Sequence, residues 1–152
     1  MREAAGDRRR SLVASSLCLA AGVLTALLIG GCSGNKDNFF PVSGKVMAGG
    51  ELIKKGSVSF RPDGSKGNKT LHIPTGDISA DGTYQLYTIG KPGAPPGWYK
   101  VLVFADANPN PRPGLEPKWL HHIKYTNEGS TDVLLEVVEK APPGTYDLKL
   151  SR

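Results

Sequence analysis

Runs in which apolar and polar side chains alternate fill the chain after residue 40, and glycine or proline separates one run from the next. A period of two places alternate side chains on opposite faces of a strand, so each run predicts a strand with one buried and one wet face. The predicted strands are 42–47, 57–61, 77–80, 83–86, 98–105, 133–137 and 146–150. Seven short strands at this spacing predict an all-β fold, a seven-stranded β-sandwich of two packed sheets.

The run 98–105 differs from the others because it carries large apolar side chains on both of its faces. A strand in the middle of a sheet is buried on both faces, so we expect this strand to have neighbours along both edges. The last run ends two residues before Arg152, and we expect it to be paired within a sheet as well. A domain of this size buries enough surface to need neither a metal ion nor a disulfide.

Two connections in the pattern are long. Residues 64–74 are polar and contain glycine, which predicts a surface loop. Residues 106–130 form a longer connection whose second half, Pro117 to Lys124, predicts two helical turns with proline at the first position. On such a helix Trp119 and Ile123 are four residues apart and would together cover one edge of the sandwich.

Residues 1–31 have a different composition from the rest of the chain. Arg2, Arg8, Arg9 and Arg10 give a basic start, and the 19 residues from Ser11 to Ile29 are uncharged and mostly apolar. A basic head, an apolar run and a small-residue exit are typical of a secretory signal peptide. The alternative is an uncleaved membrane helix, because about 20 apolar residues span a bilayer.

The residues Leu28-Ile29-Gly30-Gly31-Cys32 resemble the bacterial lipobox, in which small residues precede a cysteine that becomes the lipidated N-terminus. This resemblance favours cleavage between Gly31 and Cys32 and acylation of the Cys32 thiol by a thioether. The predicted organisation is a lipoprotein signal peptide that includes the signal helix (1–31), a lipidated flexible tether (32–39) and a β domain (40–152). The expected location is the cell envelope, with the exported protein anchored to a membrane on its periplasmic or outer-surface side.

Removal of the signal segment changes both the charge and the cysteine count. Four of the 19 basic and two of the 14 acidic side chains lie in residues 1–31, so 15 basic and 12 acidic side chains remain and the net charge falls from +5 to +3. The remaining basic residues are scattered among acidic ones, which gives no reason to expect a nucleic-acid partner. Cys18 lies in the signal segment, so Cys32 would be the one cysteine of the mature chain and no intrachain disulfide is expected.

Several turn and strand sequences carry a resemblance to a known family. They are Phe40-Pro-Val-Ser-Gly-Lys-Val46, Gly56-Ser-Val-Ser-Phe-Arg-Pro62, Ala80-Asp-Gly-Thr-Tyr84, Gly90-Lys-Pro-Gly-Ala-Pro-Pro-Gly-Trp-Tyr-Lys-Val101 and Tyr146-Asp-Leu-Lys-Leu150. Together they resemble short bacterial lipoproteins that carry a transthyretin-like (carboxypeptidase regulatory-like, prealbumin-type) domain. The resemblance implies a seven-stranded β-sandwich and no established catalytic reaction.

The residues offer little catalytic chemistry. His121 and His122 are adjacent, so their side chains diverge on a helix or a strand, and His72 is far away in the sequence. A zinc site needs at least three protein ligands, so no metal and no cofactor is expected. The chain shows no nucleophile motif, and no enzymatic activity is predicted.

Aromatic side chains offer one candidate binding surface. Trp98, Tyr99 and Trp119, together with Tyr87, would form a sugar-binding platform if they were exposed together, whereas core packing is the commoner role of such residues. Two functions therefore stay open. The first is a non-catalytic module for envelope structure, adhesion or contact with an envelope protein, and the second is a lipoprotein that binds a glycan or another small solute.

Overall fold

The computed structural model describes residues 38–108 and 114–152, and this part of the chain is all-β, as predicted. Its strands are β1 (Ser43–Ala48), β2 (Glu51–Leu52), β3 (Ser57–Pro62), β4 (Thr75–Asp77), β5 (Thr83–Gln85), β6 (Tyr87–Thr88), β7 (Lys91–Pro92), β8 (Gly97–Phe104), β9 (Leu134–Val137) and β10 (Leu148–Leu150). Two short 3₁₀ turns, Gly64–Lys66 and Ile123–Thr126, complete the elements. Within these residues, no helix has the length and apolar character needed to cross a membrane.

Each predicted strand overlaps an observed one, with differences in number and position. The run predicted at 77–80 is strand at 75–77, and the two-residue strands β2, β6 and β7 had no predicted counterpart. A strand of two residues contains too few side chains to show an alternation of apolar and polar residues in the sequence.

The first sheet is built around β1. Its N-terminal half, Ser43 to Lys45, pairs antiparallel with β5, and its C-terminal half pairs antiparallel with β2. On its other edge β1 pairs in parallel with β10, with Val46 opposite Leu148. The last described strand is therefore paired within a sheet, as the sequence led us to expect, and its partner β1 is the first described strand.

The second sheet has six strands in the order β7-β6-β4-β3-β8-β9. Strand β8 pairs with β3 over six residues and with β9 over four, which confirms that the strand predicted at 98–105 lies inside a sheet. Its inward side chains Tyr99, Val101 and Val103 are fully buried.

Buried residues from both sheets form one apolar cluster. The fully buried members of this cluster include Val46 from the first sheet, Val42 just before it, and Val58, Phe60 and Tyr99 from the second sheet. Each sheet therefore contributes one face to a shared core, and apolar burial at this interface is the main stabilising contribution to the domain.

A pair of tyrosines ties the C-terminal strand to the rest of the fold. The buried Tyr84 hydroxyl donates a hydrogen bond to the Tyr146 carbonyl oxygen at 2.7 Å. Burial, with smaller contributions from Asp147 and Tyr146, raises the pKa of Tyr84, so the hydroxyl keeps its proton. Gly44 permits this close approach, because a Cβ atom at that position would lie 2.3 Å from the same carbonyl oxygen.

The helix predicted from Pro117 to Lys124 is wrong. Trp119 instead forms an antiparallel bridge with Asp106, and the Leu120 amide donates to the Ala105 carbonyl at 2.9 Å. The helical turn begins only at Ile123, which is 63% exposed and covers no edge of the domain. The segment is extended because β9 leaves part of the β8 edge unpaired. The backbone groups along that edge need hydrogen-bond partners, and the extended segment supplies them.

Replacing Tyr84 by phenylalanine should lower the free energy of unfolding by about 2 kcal/mol, because the buried Tyr146 carbonyl loses its donor. Tyr87→Phe is the matched control, since the exposed Tyr87 hydroxyl lies 3.4 Å from Gln85 Oε1 and its loss should cost under about 0.5 kcal/mol. Denaturant titration of both variants tests the contribution of the hydrogen bond between Tyr84 and Tyr146. Equal effects of the two substitutions would contradict it.

Ile89 is the one non-glycine residue of the described chain with a left-handed backbone, at φ +51°. This conformation costs a residue with a side chain about 1–2 kcal/mol, whereas glycine adopts it without strain. Glycine has a more flexible unfolded chain, however, and this costs about 0.5–1 kcal/mol of folding free energy. Ile89→Gly should therefore raise the free energy of unfolding by about 1 kcal/mol or somewhat less. Thermal unfolding of Ile89→Gly tests this gain in stability. Ile123→Gly is the control, because Ile123 is similarly exposed but has no positive φ, and this substitution should not stabilise the protein in the same measurement.

Candidate functional site

The predicted lipidation and cleavage residues, Gly31 and Cys32, lie outside the described residues, as do the predicted signal segment 1–31 and most of the predicted tether 32–39. Lipidation at Cys32 stays a prediction. Only the end of the tether, Asn38 and Phe39, is described.

The described chain enters the domain at the connection between β7 and β8. Phe40 and Ala94 exchange two backbone hydrogen bonds, of 2.8 and 3.0 Å. Gly93 lies so close to this entry that a Cβ atom there would be 2.5 Å from the Phe40 carbonyl oxygen. The position at which a tether would leave the domain is thus fixed by backbone pairing.

The candidate aromatic surface needs a correction at Tyr99. This residue is fully buried, packs against Phe60 with ring centroids 5.7 Å apart, and donates its hydroxyl hydrogen to the Pro95 carbonyl. Its side chain faces the core because β8 alternates, and Tyr99 has the inward parity. Tyr99 therefore contributes no ring to the surface.

Trp98 and Trp119 both keep partial exposure, but the fold separates them. Lys66 Nζ lies 4.4 Å from the Trp98 ring centroid and covers one face of the indole. Trp119 packs edge-on against Phe104, which is six residues further along β8 than Trp98. Six residues of strand span about 20 Å, so the two indoles do not form one continuous platform.

The two histidines have different environments and do not share a site. His121 is 4% exposed, and its ring lies between the rings of Trp119 and Tyr125, with centroids 5.9 Å from each. Its Nδ1 is 3.0 Å from the His122 carbonyl, whereas the exposed His122 accepts a hydrogen bond from the Lys124 amide and caps the 3₁₀ turn. The described residues contain no cluster of three or more side chains suited to holding a metal ion.

A surface feature that the sequence analysis missed lies at the end of the second sheet. Four large apolar side chains there are exposed: Leu71 (93%), Ile73 (43%), Tyr87 (46%) and Ile89 (70%). We call these four residues the apolar patch. Thr75 pairs antiparallel with Tyr87, so the residues before Thr75 and those after Tyr87 lie at the same end of the sheet. The sequence signal was weak, because Leu71 and Ile73 lie in a segment that looked like a polar loop.

Basic side chains adjoin the apolar patch. Arg61 and Lys69 line a hollow of about 410 Å³ together with Leu71 and Ile73, and Glu128 is the acidic residue of that lining. On the other side of the patch, Lys91 follows Ile89 by two residues and places its Nζ 5.7 Å from the Phe39 ring centroid. The patch therefore combines exposed apolar surface with flanking positive charge.

Comparison with known proteins gives no relative: no family model, no curated protein and no solved structure matches this chain.

Protonation of His121 should make folding pH-dependent. Burial lowers the pKa of His121 below its ordinary 6.5, so the unfolded chain takes up a proton before the folded protein does. Stability is therefore fully present above pH 6.5 and falls as the pH drops below that value. Thermal unfolding between pH 8 and 5 should show this loss in the unmodified protein and a flatter profile for His121→Asn. His72→Asn, at an exposed histidine, is the control, and parallel profiles for His121→Asn and the unmodified protein would exclude this origin.

Proposed function

We propose that this protein is a bacterial lipoprotein that displays a non-catalytic transthyretin-like β-sandwich at a membrane of the cell envelope, where the domain serves envelope structure, adhesion or protein contact. The observation that carries the proposal is the sequence Leu28-Ile29-Gly30-Gly31-Cys32, which stands at the end of an uncharged apolar run. Phe40, the first residue of the described chain that is paired into the domain, follows Cys32 by only eight positions.

The choice between a lipid anchor and a membrane helix depends on the chemistry at Cys32. The thiol is the group that a diacylglycerol needs for thioether attachment, and the two glycines before it leave room for a peptidase. Several acyl chains on one residue give firm membrane attachment, because each buried methylene contributes about 0.8 kcal/mol. A spanning helix would require none of these features at residues 30–32.

The sandwich assignment is supported by two features of the described domain. Both sheets contribute to a single buried cluster, and the strands at 43–48, 57–62 and 97–104 overlap three of the sequences that resemble the transthyretin-like family. A fold of this kind does not define a reaction, so the proposed role is presentation of a surface and not catalysis.

Substitution of Cys32 by alanine tests the anchor. The unmodified protein should fractionate with membranes and carry the mass of a diacylglyceryl cysteine at its N-terminus, whereas Cys32→Ala should lose that mass and keep residues 1–31. Cys18→Ala is the matched control, because that cysteine lies in the segment removed by cleavage and its loss should change neither readout. An unmodified protein that reaches the membrane with an intact N-terminus and no acyl mass would contradict the proposal.

A further inference from the structure

The apolar patch is a group of exposed apolar side chains at one end of the second sheet of the described domain. It contains four of the nine large apolar residues that are exposed there, including the two most exposed, Leu71 and Ile89. Soluble surfaces carry single apolar side chains routinely, whereas a group of them at one end of a sheet marks an interaction site. The partner of this group follows from the position of the patch and from the charges beside it.

The patch lies beside the point where the chain enters the domain. Gly93 and Ala94 contact Phe40, and Lys91 contacts the Phe39 ring. Ile89 lies two residues from Lys91, in the turn that joins β6 to β7. The exposed apolar residues and the end of the tether therefore share one end of the domain.

Covalent geometry limits how far this end can be from Cys32. Each residue of a fully extended chain spans at most about 3.6 Å, so the eight residues from Cys32 to Phe40 reach no more than about 29 Å. If Cys32 is lipidated, this end of the domain remains within that distance of the lipid headgroups. A link this short gives an effective concentration in the millimolar range, at which even a weak contact is occupied.

The charges beside the patch suit an anionic surface. Arg61 and Lys69 share the hollow with Leu71 and Ile73, and Glu128 is the one acidic side chain in its lining. Apolar side chains that enter the headgroup region with basic residues at their edge are the usual composition of an interfacial membrane contact.

The backbone at Ile89 supports a functional reason for its exposure. A β-branched residue in the left-handed region is unfavourable, and its 70% exposure means that core packing does not compensate for the strain. Strain of this kind is retained at sites of function, and here it holds an isoleucine outward at the tip of a turn.

We infer that the apolar patch contacts the surface of the membrane, with Leu71 and Ile89 entering the headgroup region of an anionic bilayer. This inference rests on the proposed function, because lipidation at Cys32 is what brings this end of the domain to the bilayer. The lipid surface is favoured over a second protein because the short tether presents the patch to headgroups continuously, and the flanking charges match anionic lipid.

Depth-dependent quenching tests the contact with the full-length protein, processed and purified as the mature lipoprotein. Ile89→Cys and Leu71→Cys introduce single thiols for an environment-sensitive fluorophore, because an acylated Cys32 does not react. Ile123→Cys is the matched control, since Ile123 is also an exposed isoleucine, at 63% against 70% for Ile89. Each labelled protein is reconstituted into vesicles of phosphatidylcholine and phosphatidylglycerol that contain lipid with a nitroxide-labelled headgroup.

The labels at positions 89 and 71 should be quenched about threefold or more relative to the label at position 123, and this difference should shrink in vesicles of phosphatidylcholine alone. Equal quenching at all three positions in an acylated protein overturns the inference and leaves the anchor intact. Disulfide-linked dimers of the unlabelled Ile89→Cys variant, without quenching of the labelled one, would assign the patch to a second copy and would also overturn it. A protein without acyl mass on Cys32 refutes the proposed function, and the inference with it.

Discussion

The parallel pairing of β1 with β10 is the constraint on which the domain depends. These strands are the first and last of the described chain, and Val46 and Leu148 are partners across 102 positions of sequence. A parallel pair cannot be closed by a tight turn, so the second sheet has to be built between the two strands. The Tyr84 hydroxyl then fixes the C-terminal segment at the Tyr146 carbonyl. Long-range closure of this kind makes the core cooperative, because Leu148 and Leu150 complete it only when the whole chain is in place.

The open edge of β8 explains the arrangement of the long connection that follows it. Strand β9 pairs with residues 97–100 only, so the backbone groups beyond Lys100 need other partners. The Leu120 amide binds the Ala105 carbonyl, and the Thr131 hydroxyl binds the Val101 carbonyl. Extended backbone satisfies these groups and a helix from Pro117 would not. The extended segment also places His121 between the rings of Trp119 and Tyr125. His121 is therefore buried because its segment covers the open edge beside β8.

The end of the domain near Phe40 combines the features that bear on function. Backbone pairing with Ala94 fixes where the described chain enters the domain at Phe40, and the strained turn at Ile89 and the exposed Leu71 lie at the same end. Trp98 and Trp119, which looked like one binding surface in the sequence, lie at opposite ends of β8, because Trp119 packs against Phe104 at the far end from Trp98. The described surface thus offers apolar and basic side chains near Phe40 in place of a shared aromatic platform.

Local patterns in the sequence determined the strands and are the basis of the proposed lipid anchor. Alternation with a period of two located the long strands, since that signal needs only neighbouring residues, and the residues from Leu28 to Cys32 carry their chemistry without any tertiary context. Alternation could not decide which face of β8 is inward, because both faces are apolar, so Tyr99 was placed with Trp98 and Trp119. The tertiary structure alone decided the burial of Tyr99 and His121 and the grouping of Leu71 with Ile89. Each of these depends on pairing between segments distant in sequence, where backbone hydrogen bonding outweighs local propensity.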